Sequence, residues 1–154
     1  MFRTTMLALV ISLAGCDALG SRDATAPGST SETTQSGNST AAFDGIRNSE
    51  TVHFTGTEPF WGGEATQVEL TYSTPENIDG ETIAVDRFAG NNGVSFSGKL
   101  EGQSFDLMIT PSQCSDGMSD RVYPYVASLK IGEERRDGCA WTDRQPRSAP
   151  TGGG

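Results

Sequence analysis

The chain has 154 residues, 20 acidic against 11 basic, and a formal net charge of −9. That balance repels phosphate backbones and anionic lipid surfaces, which excludes nucleic-acid binding and charge-driven membrane attachment as expected roles. Nineteen glycines and seven prolines point to many turns and short elements, and the length suits one domain.

The first element is a targeting segment. Met1-Phe2-Arg3 supplies one positive charge, Met6 to Leu13 is apolar, and Leu13-Ala14-Gly15 places small residues before Cys16. This is the three-part layout of a secretory signal. The apolar run is roughly 10 residues, too short for a bilayer that needs about 20. Leu13-Ala14-Gly15-Cys16 resembles the lipobox of bacterial lipoproteins. The resemblance implies cleavage after residue 15, a diacylglycerol on the Cys16 thiol and a further acyl chain on the new amino terminus. One chain anchors marginally and two or more anchor stably. Loss of Arg3 leaves 20 acidic and 10 basic residues. Asp17 resembles the residue that retains enteric lipoproteins at the inner membrane, so the expected location is that membrane's periplasmic face.

Residues 17–42 are rich in Ser, Thr, Gly and Ala. Such a segment buries too little apolar surface to offset its ordering entropy. With Cys16 it reads as a lipidated, disordered tether, and its flexible reach is roughly 25–30 Å. Residues 144–154 read as a disordered tail. The expected folded domain is 43–143.

Within that domain the hydrophobic pattern has period two. Val52 and Phe54 alternate with polar neighbours, as do Val68, Leu70 and Tyr72. Ile83 and Val85 follow, then Val94 and Phe96, then Phe105, Leu107 and Ile109. Tyr123 to Ile131 and Gly138 to Thr142 complete the runs. Turn signals fall at 73–75, Asp79-Gly80, 90–93, Glu101-Gly102, Asp116-Gly117 and Asp137-Gly138. The expectation is all-β: a small antiparallel barrel of about seven or eight short strands, with a sandwich as the alternative.

Three cysteines are present. With Cys16 taken by lipid, an oxidising compartment favours pairing Cys114 with Cys139. Closing 25 positions is worth roughly 3.5 kcal/mol in the chain-entropy account. A redox pair is the alternative, but no Cys-x-x-Cys spacing lowers either thiol's pKa.

Catalysis is hard to assemble from these residues. His53 is the one histidine, and no Gly-x-Ser-x-Gly elbow accompanies it. It reads as a strand residue facing solvent. No catalytic set, metal set or cofactor is expected, because zinc needs three or four good ligands. Glu58 and Glu64 are the carboxylates that a hydrolase reading would use.

Two segments stand apart, Gly56-Thr57-Glu58-Pro59-Phe60-Trp61 and Cys114-Ser115-Asp116-Gly117-Met118-Ser119-Asp120. Together with residues 71–77 and Gly138-Cys139-Ala140 they resemble an uncharacterised family of bacterial envelope lipoproteins. That family carries Gly-Thr-Glu-Pro-Phe-Trp and Cys-x-Asp-Gly-Met-Ser-Asp motifs, and the likeness spans most of 51–141. It implies no activity. Its members occur near small β domains of the heat-shock HslJ-like and lysozyme-inhibitor kinds. Glu58, Phe60, Trp61, Asp120, Arg121 and Tyr123 form the candidate binding or structural cluster, with Phe60 and Trp61 plugging one barrel end in the structural version. By analogy with lipocalin-like barrels, Arg121 is expected against Trp61 and paired with Glu58 or Asp120. The expected role is a non-catalytic envelope module, anchored to the membrane by its lipid, with a protein or glycan partner. A lysozyme-inhibitor-like protein is one alternative, and a carboxylate-dependent envelope hydrolase is another.

Overall fold

The structure, a computed structural model, describes residues 41–149. The signal segment, Cys16 and nearly all of the tether lie outside the described residues, as does 150–154. The described chain is all-β. Its strands are β1 (Val52–Thr57), β2 (Phe60–Ala65), β3 (Glu69–Thr74), β4 (Asn77–Ala89), β5 (Val94–Leu100), β6 (Gln103–Ser115), β7 (Val122–Ile131) and β8 (Glu134–Thr142). Each pairs antiparallel with the next, and β8 pairs back onto β1, so the sheet closes as an eight-stranded barrel. Closure leaves no unpaired edge for another chain to extend.

The period-two pattern is the reason for the interior. Alternate residues of each strand point inward, and the inward set is apolar. Phe54, Leu70, Phe96, Phe105, Leu107, Ile109, Tyr125 and Leu129 are each at most 2% exposed. Burial of each such side chain contributes about 1.5–3 kcal/mol. They fill the barrel with packed side chains.

The alternation identifies seven strands and misses β2. Gly62 and Gly63 occupy its centre and supply no apolar signal. Two Asp-Gly pairs expected as turns lie inside strands instead. Gly138 is mid-strand in β8, and the β7–β8 reversal is made by Gly132-Glu133. Gly80 lies in β4 beside a register shift between Tyr72 and Thr74, with φ at +77°. Its left-handed backbone serves a bulge and not a chain reversal.

Both termini of the described chain bind the same barrel end. The Phe43 N–H donates to the Gly90 carbonyl at 2.7 Å. Ile46 is buried, and the Arg87 guanidinium donates to its carbonyl at 2.7 Å. Arg144 pairs with Glu50 and also donates to the Gly45 carbonyl. Gln145 Nε2 donates to that same oxygen at 2.9 Å. Further along, Val122 and Ser148 exchange two hydrogen bonds of 2.8 Å. Residues 144–149, expected as the start of a disordered tail, are therefore fastened to the barrel. Their sequence lacks apolar periodicity because polar and backbone groups do the fastening.

At the opposite end Trp61 turns inward and is 3% exposed. Its register partner is Gly56. A Cβ at Gly56 would collide with the indole nitrogen, and one at Gly138 would meet Trp61 Cζ2 at 3.0 Å. The indole thus occupies space that two other strands leave empty. Gly56→Ala is expected to lower stability by about 1–3 kcal/mol through overpacking. Denaturant midpoints of the two proteins measure it, and equal midpoints would show that the indole is free to move aside.

Candidate functional site

The most constrained surface is the outer wall over β8 and β1. It is built by the segment from Cys114 to Tyr123. The pairing of β6 with β7 shifts register between Pro111 and Cys114. From there the chain is tied to strands other than its own neighbours. Cys114 is disulfide-bonded to Cys139 of β8, with the Cα atoms 5.6 Å apart. This is the pairing expected from the sequence, and it joins two strands that are not adjacent in the sheet. Thr57 of β1 donates its hydroxyl to the Asp116 carbonyl at 3.3 Å. That bond brings the two distinctive sequence segments together.

Asp116 organises the loop. Its Oδ1 accepts the Met118 N–H at 3.0 Å and the Ser119 N–H at 2.8 Å. Its Oδ2 accepts the Ser119 hydroxyl at 2.8 Å and the Tyr123 hydroxyl at 2.9 Å. An aspartate accepting from the backbone two and three residues on is how short polar side chains fix turns. Burial alone would raise the carboxyl's pKa. The bonds from Ser119, Met118 and Tyr123 outweigh burial and hold it well below the usual carboxylate range. Burial, and then the bond to Asp116, pushes the Tyr123 hydroxyl up.

Beneath this loop lies an aromatic patch. Tyr123 is 3% exposed and its ring is 5.6 Å from Trp141. Trp141 stacks on His53, its register partner across β1 and β8, at 5.3 Å and 22°. The Arg147 guanidinium sits 4.2 Å from the Trp141 ring centroid, within cation–π range. His53 faces the outer wall, but it is not a free solvent residue. Its Nδ1 is 3.7 Å from Glu64 and its Nε2 is 3.5 Å from Asp143. A histidine between two carboxylates resembles part of a hydrolytic set. No hydroxyl or thiol hydrogen-bonds it among the described residues.

The candidate cluster divides into three places. Trp61 is inside the barrel, against Phe54 at 5.7 Å and Tyr72 at 6.5 Å. Glu58 and Phe60 are exposed at the β1–β2 turn, where Glu58-Pro59 is a cis peptide. Only Trp61 therefore plugs the barrel; Phe60 points outward and is 52% exposed. Asp120 and Arg121 lie on the Asp116 loop, and Tyr123 is beneath it.

The expected contact of Arg121 with Trp61 is not made. Among the described residues Arg121 has no ion pair with Glu58 or Asp120, and its backbone N–H caps Ser119 Oγ at 3.3 Å. The arginine that reaches an interior aromatic is Arg136. It lies 6.0 Å from the Tyr72 ring centroid, donates to the Tyr72 hydroxyl and pairs with Glu134 at 2.9 Å. The arginine over a tryptophan is Arg147, on the outer wall. Glu58 and Glu64 lie toward opposite ends of β2, Glu58 in the turn before it and Glu64 beside His53.

Sequence reasoning missed Trp141, Arg147, Glu64 as a partner of His53, and Asp143. A His and a Trp that become neighbours only through barrel closure leave no local signal. No family model, no curated protein and no solved structure matches the chain.

Replacing both Cys114 and Cys139 by alanine is expected to cost about 2–5 kcal/mol, read by thermal or urea unfolding of exported protein; unchanged stability would mean that the loop holds without the bond. Asp116→Asn tests the carboxylate. Because the folded-state pKa is lowered, its stabilisation is present above the unfolded value of about 3.9 and is lost as pH falls below it. Native protein should exceed Asp116→Asn in stability near neutral pH, and the gap should shrink between about pH 5 and pH 2. A gap independent of pH would sink the assignment.

Proposed function

We propose that this chain is a membrane-anchored periplasmic lipoprotein whose barrel is a non-catalytic binding module for a protein or glycan of the cell envelope. The packed interior is the observation that carries the binding half of this reading. Phe54, Leu70, Phe96, Phe105, Leu107 and Ile109 fill it, so recognition falls to the outer surface. The fastened Asp116 loop supports it too. A disulfide, the Asp116 carboxylate and bonds to Ser148 tie that loop down, and pre-ordering reduces the entropy that binding must overcome. The anchor half rests on Leu13-Ala14-Gly15-Cys16 and the polar tether behind it.

Fractionation of cells expressing native and Cys16→Ser protein tests the anchor. Native protein should sediment with membranes and carry acyl mass on its amino terminus. The variant should be soluble in the periplasm or remain as precursor, whereas unchanged sedimentation together with an unacylated native terminus would refute it. Incubation with purified peptidoglycan tests the non-catalytic half. Release of soluble fragments that disappears in Glu64→Gln would replace the binding reading with a hydrolase.

A further inference from the structure

Charge is divided between the two halves of the barrel. Residues 48–86, which form β1, β2, β3 and most of β4, carry eight acidic residues and no lysine or arginine. Residues 87–149 carry eight acidic and eight basic residues. The domain's excess negative charge is thus confined to one contiguous side, since these strands are consecutive around the sheet.

A groove of about 320 Å³ lies on that side. Thr55, Gly62 and Ser73 are register neighbours across β1, β2 and β3. Gly62 has no side chain, so backbone forms the floor, and the Ser73 hydroxyl donates to its carbonyl at 3.2 Å. Phe60 and Ile78 form the walls and are 52% and 81% exposed. Exposed apolar residues are ordinary on a surface, and Phe88 and Met108 also line a depression, so the acidic residues beside Phe60 and Ile78 are what single this groove out. Glu58, Glu76 and Asp79 are exposed in the turn and strand positions beside those walls.

We propose that this groove docks an extended segment of a basic protein, one that places an apolar side chain between lysines or arginines. The apolar side chain would lie over Gly62 between Phe60 and Ile78. The flanking cations would meet Glu58, Glu76 and Asp79. Charge decides the occupant. A second copy offers either its own acidic side or its charge-balanced half, neither of which is cationic, and the tether carries three acidic residues against one basic residue. Neither is attracted, whereas a cationic partner is steered in over a distance of order the Debye length. The inference rests on the binding-module reading and names the surface and the partner's chemistry.

The test uses the full mature lipoprotein in nanodiscs of neutral phosphatidylcholine. The probe is a short peptide with a central Leu-Trp pair between lysines. Neutralising the groove with Glu58→Gln, Glu76→Gln and Asp79→Asn should weaken binding about tenfold, which is what loss of steered charge contacts produces. Phe60→Ser with Ile78→Ser should weaken it by a similar factor. Neutralising Asp106→Asn, Glu133→Gln and Asp137→Asn on the other half changes net charge equally and should alter binding less than about twofold. Equal losses from the two neutralised sets would overturn the proposal, as would equal binding of a peptide with glutamate for lysine. No effect of the apolar pair of substitutions would overturn it too. Since all these positions are exposed, unchanged circular dichroism confirms that the variants fold. An envelope partner cross-linked equally by native and groove-neutralised protein would overturn the groove while leaving the binding-module reading standing.

Discussion

The barrel closes around one tryptophan. Trp61 sits over Gly56 on the neighbouring strand and against Gly138, two strands away around the sheet. Its ring continues a line of aromatics through the interior, with Phe54 and Tyr72 beside it and Phe105 at 5.6 Å from Tyr72. Each of these rings buries a large area and gains from tilted or edge contacts with the next. Trp61 Nε1 is buried with no hydrogen-bond partner among the described residues, which costs about 1–3 kcal/mol. The packing offsets that cost only while Gly56 stays without a side chain. This explains why Gly56 and Trp61 bracket a distinctive segment: they are the two halves of one contact.

The outer wall follows from the same closure. Because β8 meets β1, His53 and Trp141 become cross-strand neighbours, and the Cys114–Tyr123 loop has a surface to lie on. Thr57, one residue past Gly56, then reaches the Asp116 carbonyl. The inner contact and the outer one therefore grow from adjacent residues of β1. The carboxylate of Asp116 gives the loop four bonds from within its own segment and Tyr123. The disulfide adds a covalent tie to β8. Neither tie touches the groove at Phe60, so the rigid wall and the apolar depression are separate features of one barrel.

Much of this architecture is legible in the sequence. Alternation gives seven strands because each buries one face, and a face buried on alternate residues leaves a period-two trace. β2 leaves none, since Gly62 and Gly63 replace the residues that would write it. Asp79-Gly80 and Asp137-Gly138 read as reversals because Asp-Gly favours left-handed backbone. In the fold one sits at a bulge, and the other supplies a glycine because a Cβ there would strike the Thr55 carbonyl first and then Trp61. The Cys114–Cys139 pair is readable by elimination. The place of Arg121 is not, because which arginine meets which aromatic depends on strand register around a closed sheet. Arg136 and Arg147 hold those positions through non-local pairing that no local pattern encodes. The same reason hides the contact between Trp141 and His53, whose residues lie far apart in the chain and meet only where the first and last strands join.

Direction along the barrel separates its two ends. The chain enters at the end where Phe43 bonds Gly90, and β1 runs from there toward Glu58. β3 runs the same way and delivers Glu76 to the same far end. The turns that carry these carboxylates are therefore at the end remote from the tether's entry. Chain direction alone sets the groove's place, since Phe60 and Ile78 lie beside the far turns, away from the end where Phe43 joins the barrel. The acidic residues do not add to that direction. Glu50, Glu64, Glu69 and Asp86 lie toward the entry end, while Glu58, Glu76 and Asp79 lie at the far end. Charge therefore distinguishes one side of the barrel from the other, and connectivity distinguishes its two ends; the groove lies where the acidic side meets the far end.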